Sequence, residues 1–182
     1  MGTSVACRRA GFTLIELLVG LAVAAVLLVV AVPAYRAMIE RNLVASQANS
    51  LLADLHFARS EAVTRGRDVT ICKSGDGQSC TADGGWQQGW IIFVDPTNSG
   101  VRNAADEPLL RVNNQARQGL AISGTGTLDE RVTFDANGFA EGTVGTLSVA
   151  RPEDADERTD ITVLFSGNMR TEKCGPASPC KS

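Results

Sequence analysis

The first part of the chain is dominated by one apolar segment. From Leu17 to Ala34 the sequence carries no charge and almost no polar side chain. A helix needs about 20 apolar residues to cross the hydrocarbon layer of a membrane. This segment is therefore long enough to be a membrane-spanning helix.

The helical pattern continues beyond this segment but becomes amphipathic. Apolar residues recur at helical spacing as far as Ala62, with charged residues between them. Arg65 and Gly66 then provide a cation for the last helical turn and a glycine for the C-cap. We expect one helix from about Thr13 to Arg65, apolar in its first half and packed on a folded domain in its second half.

From Asp68 onward the apolar residues alternate, which indicates β-strands. We expect strands at residues 69–71, 90–94, 109–112, 120–122, 132–134, 147–150 and 161–165. The strand at 90–94 is apolar on both faces, which is typical of a covered central strand, and residues 132–139 predict a hairpin around Asp135 and Gly138. Residues 153–160 predict an acidic loop. No helical pattern separates the strands, so the fold class is α+β with a mainly antiparallel sheet.

The charged residues near the start of the chain indicate an orientation in the membrane, and one of them is unexpected in a membrane helix. Arg8 and Arg9 precede the apolar segment, and positive residues normally stay on the cytoplasmic side of a membrane. The rest of the chain would then lie outside the cytoplasm. Glu16 is the anomaly, because a carboxylate within a membrane helix costs a few kcal/mol and requires a cationic partner.

The residues from Gly11 to Glu16, which read GFTLIE, resemble the class III signal peptide of type IV pilins and pseudopilins. The resemblance implies that a prepilin peptidase cuts after Gly11 and methylates the new N-terminal residue, Phe12. It also implies that Glu16 pairs with the N-terminal amine of a neighbouring subunit in a filament. Two other interpretations are an uncleaved single-pass anchor and an ordinary secretory signal cut after Ala34. The secretory signal would leave Glu16 without an explanation.

These features predict four segments along the chain. Residues 1–11 form a leader peptide, residues 12–34 a transmembrane and assembly helix, residues 35–66 the amphipathic half of the helix, and residues 67–182 a periplasmic β-rich domain. The expected location is the inner membrane, crossed once, and afterwards the filament.

The cysteines agree with an oxidising compartment. Four of the five cysteines lie in the predicted domain as two close pairs, namely Cys72, Cys80, Cys174 and Cys180. Four cysteines allow three pairings. We favour the local pairs, Cys72 with Cys80 and Cys174 with Cys180. Zinc is disfavoured, since no CxxC spacing occurs and the single histidine, His56, is distant in sequence.

No combination of residues suggests catalysis. His56 lies within the amphipathic helix, no serine has a nucleophile-elbow context, and no glycine-rich phosphate loop is present. Oxygen-bearing residues around position 100 could bind calcium, although they lack the alternation of an EF-hand; they are Asp95, Asn98, Asp106 and Glu107. We favour a plain solvated loop there. We therefore expect no enzyme, no cofactor and no metal site.

Four further blocks, at residues 58–63, 69–72, 89–95 and 134–138, make most of the chain similar to the GspH/FimT family of minor pilins and pseudopilins. The resemblance implies a structural and priming role in filament assembly, at or near the filament tip. The implied partners are other pilin subunits, the pilus assembly platform and the prepilin peptidase. The pilus branch of the family is favoured over the type II secretion branch.

DNA uptake is the alternative function. Some similar proteins bind DNA through a Gly-Arg-x-Arg pattern near the C-terminus, but here the corresponding residues 167–170 read GNMR. Asn168 stands in place of the first arginine, which leaves Arg170, Lys173 and Lys181 as the candidate DNA-binding residues. Binding to phosphates requires several cations, and the net charge of the chain is −3. We therefore favour the structural role.

Overall fold

A computed structural model describes residues 13–114, 119–142, 145–175, 178 and 180. Its single α-helix, α1, runs from Leu14–Arg65. The chain divides into two compact units between Glu40 and Arg41, so α1 contributes its first part to one unit and its second part to the other.

The C-terminal end of α1 is set by Gly66. This residue has a φ of +62°, a left-handed conformation that glycine adopts without a steric penalty. The backbone N–H of Arg67 donates to the carbonyl of Ala62 over 3.2 Å. This six-residue closure satisfies one of the last helical carbonyls and is the Schellman motif. The predicted helix end at Arg65 is thus confirmed.

Nine strands follow α1 and pair only in antiparallel fashion within the described residues. They are β1 Val69–Lys73, β2 Gly89–Val94, β3 Leu109–Asn114, β4 Ala121–Gly124, β5 Arg131–Phe134, β6 Ala140–Glu141, β7 Gly145–Arg151, β8 Asp154–Val163 and β9 Met169–Cys174. Two short 3-10 helices lie at Trp86–Gln88 and Gly126–Asp129. The strand order is β3-β2-β1-β5-β6 in the first sheet and β4-β7-β8-β9 in the second.

The predicted antiparallel, α+β architecture is confirmed, but the strands form two sheets, whereas the sequence predicted one. The prediction of an acidic loop at residues 153–160 is wrong. Most of that segment belongs to β8, which lies between β7 and β9. Charged side chains of this strand form ion pairs. For example, Nε of Arg158 lies 3.1 Å from Oδ1 of Asp160, two positions further along β8. The edge strand β9 was not predicted, because its residues show no alternation of apolar and polar side chains.

The hydrophobic core lies between α1 and both sheets. Its buried residues come from the second part of the helix, from the first sheet and from the second sheet, and include Leu51, Leu55, Trp90, Phe134 and Ile161. Strand β2 lies between β3 and β1 and is covered on both faces, as predicted. Ile92 faces this core, while Ile91 and Phe93 face a smaller cluster that includes Cys72.

Candidate functional site

The first part of α1 presents a long exposed apolar surface. Every described side chain from residue 13 to residue 39 is exposed, including Leu17, Leu27 and Val29. By length and composition, α1 is the one helix of the described chain that is long and apolar enough to cross a membrane. An isolated water-exposed surface of this kind is unfavourable, so it requires lipid or other protein around it.

Glu16 lies in the first turn of α1, on this apolar surface. Its backbone N–H lies 3.3 Å from the side-chain oxygen of Thr13, and the residue itself is exposed. Gly11 and Phe12, the residues of the predicted cleavage site, lie outside the described residues, so the predicted processing stays a prediction.

The second part of α1 is fixed to the first sheet by a buried carboxylate. Asp54 is only 4% exposed, and its Oδ2 accepts a hydrogen bond of 2.8 Å from Nε1 of Trp90. Its Oδ1 lies 2.6 Å from Nη1 of Arg111, and the Arg111 guanidinium also stacks 3.8 Å above the ring of Phe57. Every partner of this carboxylate is provided by β2 or β3. Asp54 could not be recognised from the sequence, because an acid at helical spacing gives no sign of partners that are 36 to 59 residues away.

A second ion pair joins the start of this helical part to β8. The guanidinium of Arg41 binds the carboxylate of Glu157 through two hydrogen bonds of 2.7 and 2.9 Å. This arrangement lowers the pKa of Glu157, chiefly through the hydrogen bond from Arg41, while desolvation acts in the opposite direction. The pair is exposed, so its contribution to stability is reduced by solvent screening.

The first cysteine pair closes a tightly hydrogen-bonded loop. The predicted Cys72–Cys80 disulfide is confirmed, with Cα atoms 5.6 Å apart. Within the loop, the carboxylate of Asp76 accepts bonds of 2.8 Å from the backbone N–H groups of Gln78 and Ser79. Hydrogen bonds from Ser79 and from the backbone hold the pKa of Asp76 well below its ordinary value.

A buried lysine holds the segment that follows this loop. Lys73 is fully buried, and its Nζ donates to the carbonyl oxygens of Ala82 and Gly84 over 2.9 and 2.8 Å. Its charge also lies 3.7 Å from Oδ2 of Asp129. An ammonium group can be buried only when its donors are satisfied in this way, so Lys73 is a structural residue.

The second cysteine pair lies at the end of the second sheet. The structure joins Cys174 at the end of β9 to Cys180, with Cα atoms 5.1 Å apart. Asp160 lies beside them, and these three residues form the one group in the described part of the chain that is close enough to hold a metal ion. The sulfur atoms are engaged in the disulfide, and Arg158 already binds the carboxylate.

The four residues considered for calcium binding do not form a ligand cluster within the described residues. Asp95 is fully buried rather than solvated, because its carboxylate organises the loop. It accepts hydrogen bonds from the side chain of Thr70 and from the backbone of Ser99 and Gly100, over 2.9, 2.9 and 2.8 Å. Glu107 similarly accepts a bond of 2.7 Å from the backbone of Asn103.

The candidate DNA-binding residues are not brought together. Arg170 and Lys173 are both exposed on the edge strand β9. They are three positions apart, so they point to opposite faces of the strand, and Arg170 shares its face with Glu172. Lys181 lies outside the described residues.

The comparisons with known proteins agree with this architecture. The family model for type II transport protein GspH matches residues 47–167, and the model for the prokaryotic N-terminal methylation motif matches residues 7–32. The first match covers more than half of the chain, so the chain belongs to the GspH family. A search of curated protein sequences found no match.

Solved structures show the same fold. The chain is 26% identical to the type IV minor pilin FimU of Pseudomonas aeruginosa (strain PAO1), with a TM-score of 0.58 over 74% of this chain and 92% of FimU. Two structures of the minor pseudopilin EpsH, from the type II secretion system of Vibrio cholerae, have TM-scores of 0.50 and 0.52 at 17% and 14% identity. They cover 71% and 74% of this chain and 96% and 99% of EpsH. At these identities EpsH supports the fold alone.

The family, the methylation motif and the apolar helix together define the class of protein. The chain is a subunit of the minor pilin and pseudopilin type, which serves either a type IV pilus or a type II secretion system. Its apolar helix and its methylation motif indicate membrane anchoring followed by incorporation into a filament.

Proposed function

We propose that this chain primes filament assembly as a minor pilin, with a position at or near the filament tip. The observation that carries the proposal is the exposure of every described side chain from residue 13 to residue 39 of α1, ahead of a unit that buries its own core. These exposed apolar side chains lie on one continuous helix segment. The segment is therefore available to lipid before assembly and to the helices of other subunits afterwards.

The orientation and processing follow from the N-terminal charges. Arg8 and Arg9 keep the leader in the cytoplasm, so the second unit is periplasmic. The prepilin peptidase cuts after Gly11 and methylates Phe12. Glu16 then pairs with the methylated amine of an adjacent subunit. Such a pair contributes little net stability, because both charges lose their hydration. Its value is in setting the register, since any other position along the helix bundle leaves a charge unpaired.

Processing provides the first test. We expect mass spectrometry of the wild type to find N-methylated Phe12 as the first residue. Gly11→Val should instead leave a full-length precursor in the membrane, because a bulkier side chain does not fit a peptidase site that accepts glycine. Gly20→Val is a matched control, since a Cβ at Gly20 meets nothing within 4 Å. A wild-type N-terminus at Tyr35 would instead establish an ordinary secretory signal.

DNA binding is the second candidate function, and it is tested separately. If Arg170 and Lys173 contact phosphates, Ala at both positions should weaken DNA binding and flatten its dependence on salt. We expect weak binding already in the wild type, because the two cations point to opposite faces of β9. Submicromolar affinity for duplex DNA at physiological salt would favour the DNA-receptor function.

A further inference from the structure

Two exposed phenylalanine rings lie together where α1 ends in the second unit. Phe139 follows the turn between β5 and β6, and Phe165 lies in the turn between β8 and β9. Their side chains are 42% and 62% exposed, and their ring centroids are 5.7 Å apart. Val63, 53% exposed in the last turn of α1, lies beside the β5–β6 turn. We call Val63, Phe139 and Phe165 the aromatic patch.

The two turns that carry the aromatic patch are fastened to each other and to α1. The guanidinium of Arg59 donates to the carbonyl of Gly138 over 2.9 Å and to the carbonyl of Ser166 over 3.1 Å. The backbone N–H of Ala140 donates to the carbonyl of Phe165 over 2.9 Å. The patch is therefore presented on a braced surface, which lowers the entropy cost of binding a partner.

The patch contributes little to the core of its own unit. Neither phenylalanine belongs to the buried clusters, and between them opens a shallow cavity of about 430 Å³ that also contacts Asp135, Glu141 and Gly142. Exposed aromatic side chains grouped around a cavity are typical of protein interaction surfaces. The cavity has room for one or two apolar side chains from a partner.

The carboxylates of Asp135 and Glu141 lie along one side of the patch. Burial and the charges of Asp68 and Asp135 raise the pKa of Glu141, and burial with the charges of Asp135 and Asp95 raises the pKa of Asp68. These directions show that the acids repel one another. Glu141 accepts a hydrogen bond from the side chain of Asn98, which is a neutral donor and leaves the negative charge in place, and Arg59 is committed to backbone carbonyls. A cation from outside would be attracted here, whereas the phosphates of DNA or of anionic lipids would be repelled.

We propose that the aromatic patch is a docking surface for an adjacent subunit of the same filament. The partner inserts an apolar side chain between Phe139 and Phe165 and places a neighbouring Lys or Arg against Asp135 and Glu141. The inference rests on the proposed assembly function and names the surface that would perform it. It concerns the second unit, and not the exposed helix that carries Glu16.

Photo-crosslinking in the native host identifies the partner directly. Phe165 is replaced by p-benzoylphenylalanine in the full chain, and Val101, which is 67% exposed in another loop, is the control position. We expect a light-dependent adduct between position 165 and a second protein. The mature N-terminus of that protein should be a methylated residue, which identifies it as a pilin-like subunit. The crosslinked peptide should contain a Lys or Arg beside an apolar residue. The proposal is overturned by an adduct only with nucleic acid, lipid or a protein of another class. The same adduct from position 101, or none from protein present in the filament, also overturns it.

Two substitutions test whether the contact matters for assembly. Phe165→Ser and Glu141→Lys remove the apolar anchor and the charge attraction, while Val101→Ser removes a similarly exposed apolar side chain elsewhere. We expect Phe165→Ser to fall about tenfold or more in the sheared filament fraction, as for a central interface anchor. Glu141→Lys should fall by a similar factor, because it places like charges opposite each other, and the control should remain at the wild-type amount. Membrane levels and the Cys72–Cys80 bond, tested on non-reducing gels, should stay normal. If Phe165→Ser fails to accumulate, Glu141→Lys decides, since its side chain is exposed. Asn98→Ala removes the hydrogen bond that Glu141 accepts without reversing its charge, and this control should enter filaments like the wild type. Normal incorporation of Glu141→Lys would overturn the proposal.

The outcomes separate this inference from the assembly function. If Glu16→Leu is absent from the filament fraction while the patch variants are present in it, the docking proposal is wrong and the assembly function stands. If the wild type itself is absent from filaments, the assembly function is wrong and docking at the patch is wrong with it.

Discussion

The two parts of α1 have similar apolar side chains but opposite surroundings. In the second part, Leu51 and Leu55 are completely buried against the two sheets. In the first part, Leu27 is 64% exposed and the described side chains around it are exposed as well. Burying a leucine stabilises a protein by about 1.5–3 kcal/mol. The second part therefore stabilises its own unit. The apolar side chains of the first part are still exposed, so burying them against lipid or another chain would stabilise that contact instead.

The largest effect that separates the two parts is expected from Leu55→Ala. This change removes a fully buried side chain and should lower the free energy of unfolding of the second unit by about 2–5 kcal/mol. Leu27→Ala, the matched control, should leave that free energy unchanged. Urea unfolding of the full chain in detergent measures both, followed by the fluorescence of the buried Trp86 and Trp90. Equal losses would show that the two parts of the helix are not distinct.

The disulfides come next in size. Replacing Cys72 and Cys80 with Ala should lower the free energy of unfolding by about 2–3 kcal/mol on the chain-entropy account of short loops. A double Ala variant of Cys174 and Cys180 tests the second pair in the same way. Non-reducing peptide mapping of the wild type should recover both local pairs, and a peptide that joins Cys72 to Cys174 would overturn the assignment.

The smallest effect is expected from the exposed pair of Arg41 and Glu157. The pKa of Glu157 is lowered from its ordinary value of 4.5. Its contribution to stability is therefore present above pH 4.5 and is lost as the pH falls through the lowered pKa. Melting curves of the wild type and Glu157→Gln should differ at neutral pH and converge in acid. A gap that persists in strong acid or in high salt would point to packing instead of charge.

The sequence predicted the parts of the fold that local pattern controls. The helix end at Gly66, the covered strand β2 and the hairpin around Asp135 each depend on residues that are neighbours in the chain. The division into two sheets depends on pairings between distant segments, such as Val69 with Phe134. No local pattern encodes such a pairing.

The candidate sites show the same limit. The sequence predicts an acidic loop at residues 153–160, because the cross-strand neighbours of this segment, including Lys173 opposite Thr159, come from a distant part of the chain. The partners of Asp54 and the convergence of Phe139 with Phe165 are likewise visible only in the folded chain. By contrast, the cleavage motif at Gly11 and the acid at Glu16 are linear signals, so they were available from the sequence alone.

The most direct test of the account is the incorporation of Glu16→Leu into filaments. The variant should be processed at Gly11 and inserted into the membrane normally, because the change only increases hydrophobicity. Sheared filament and membrane fractions from both strains are probed for this subunit. We expect wild-type protein in both fractions, and Glu16→Leu in the membrane fraction alone. Equal amounts of both proteins in the filament fraction would contradict the register role of Glu16.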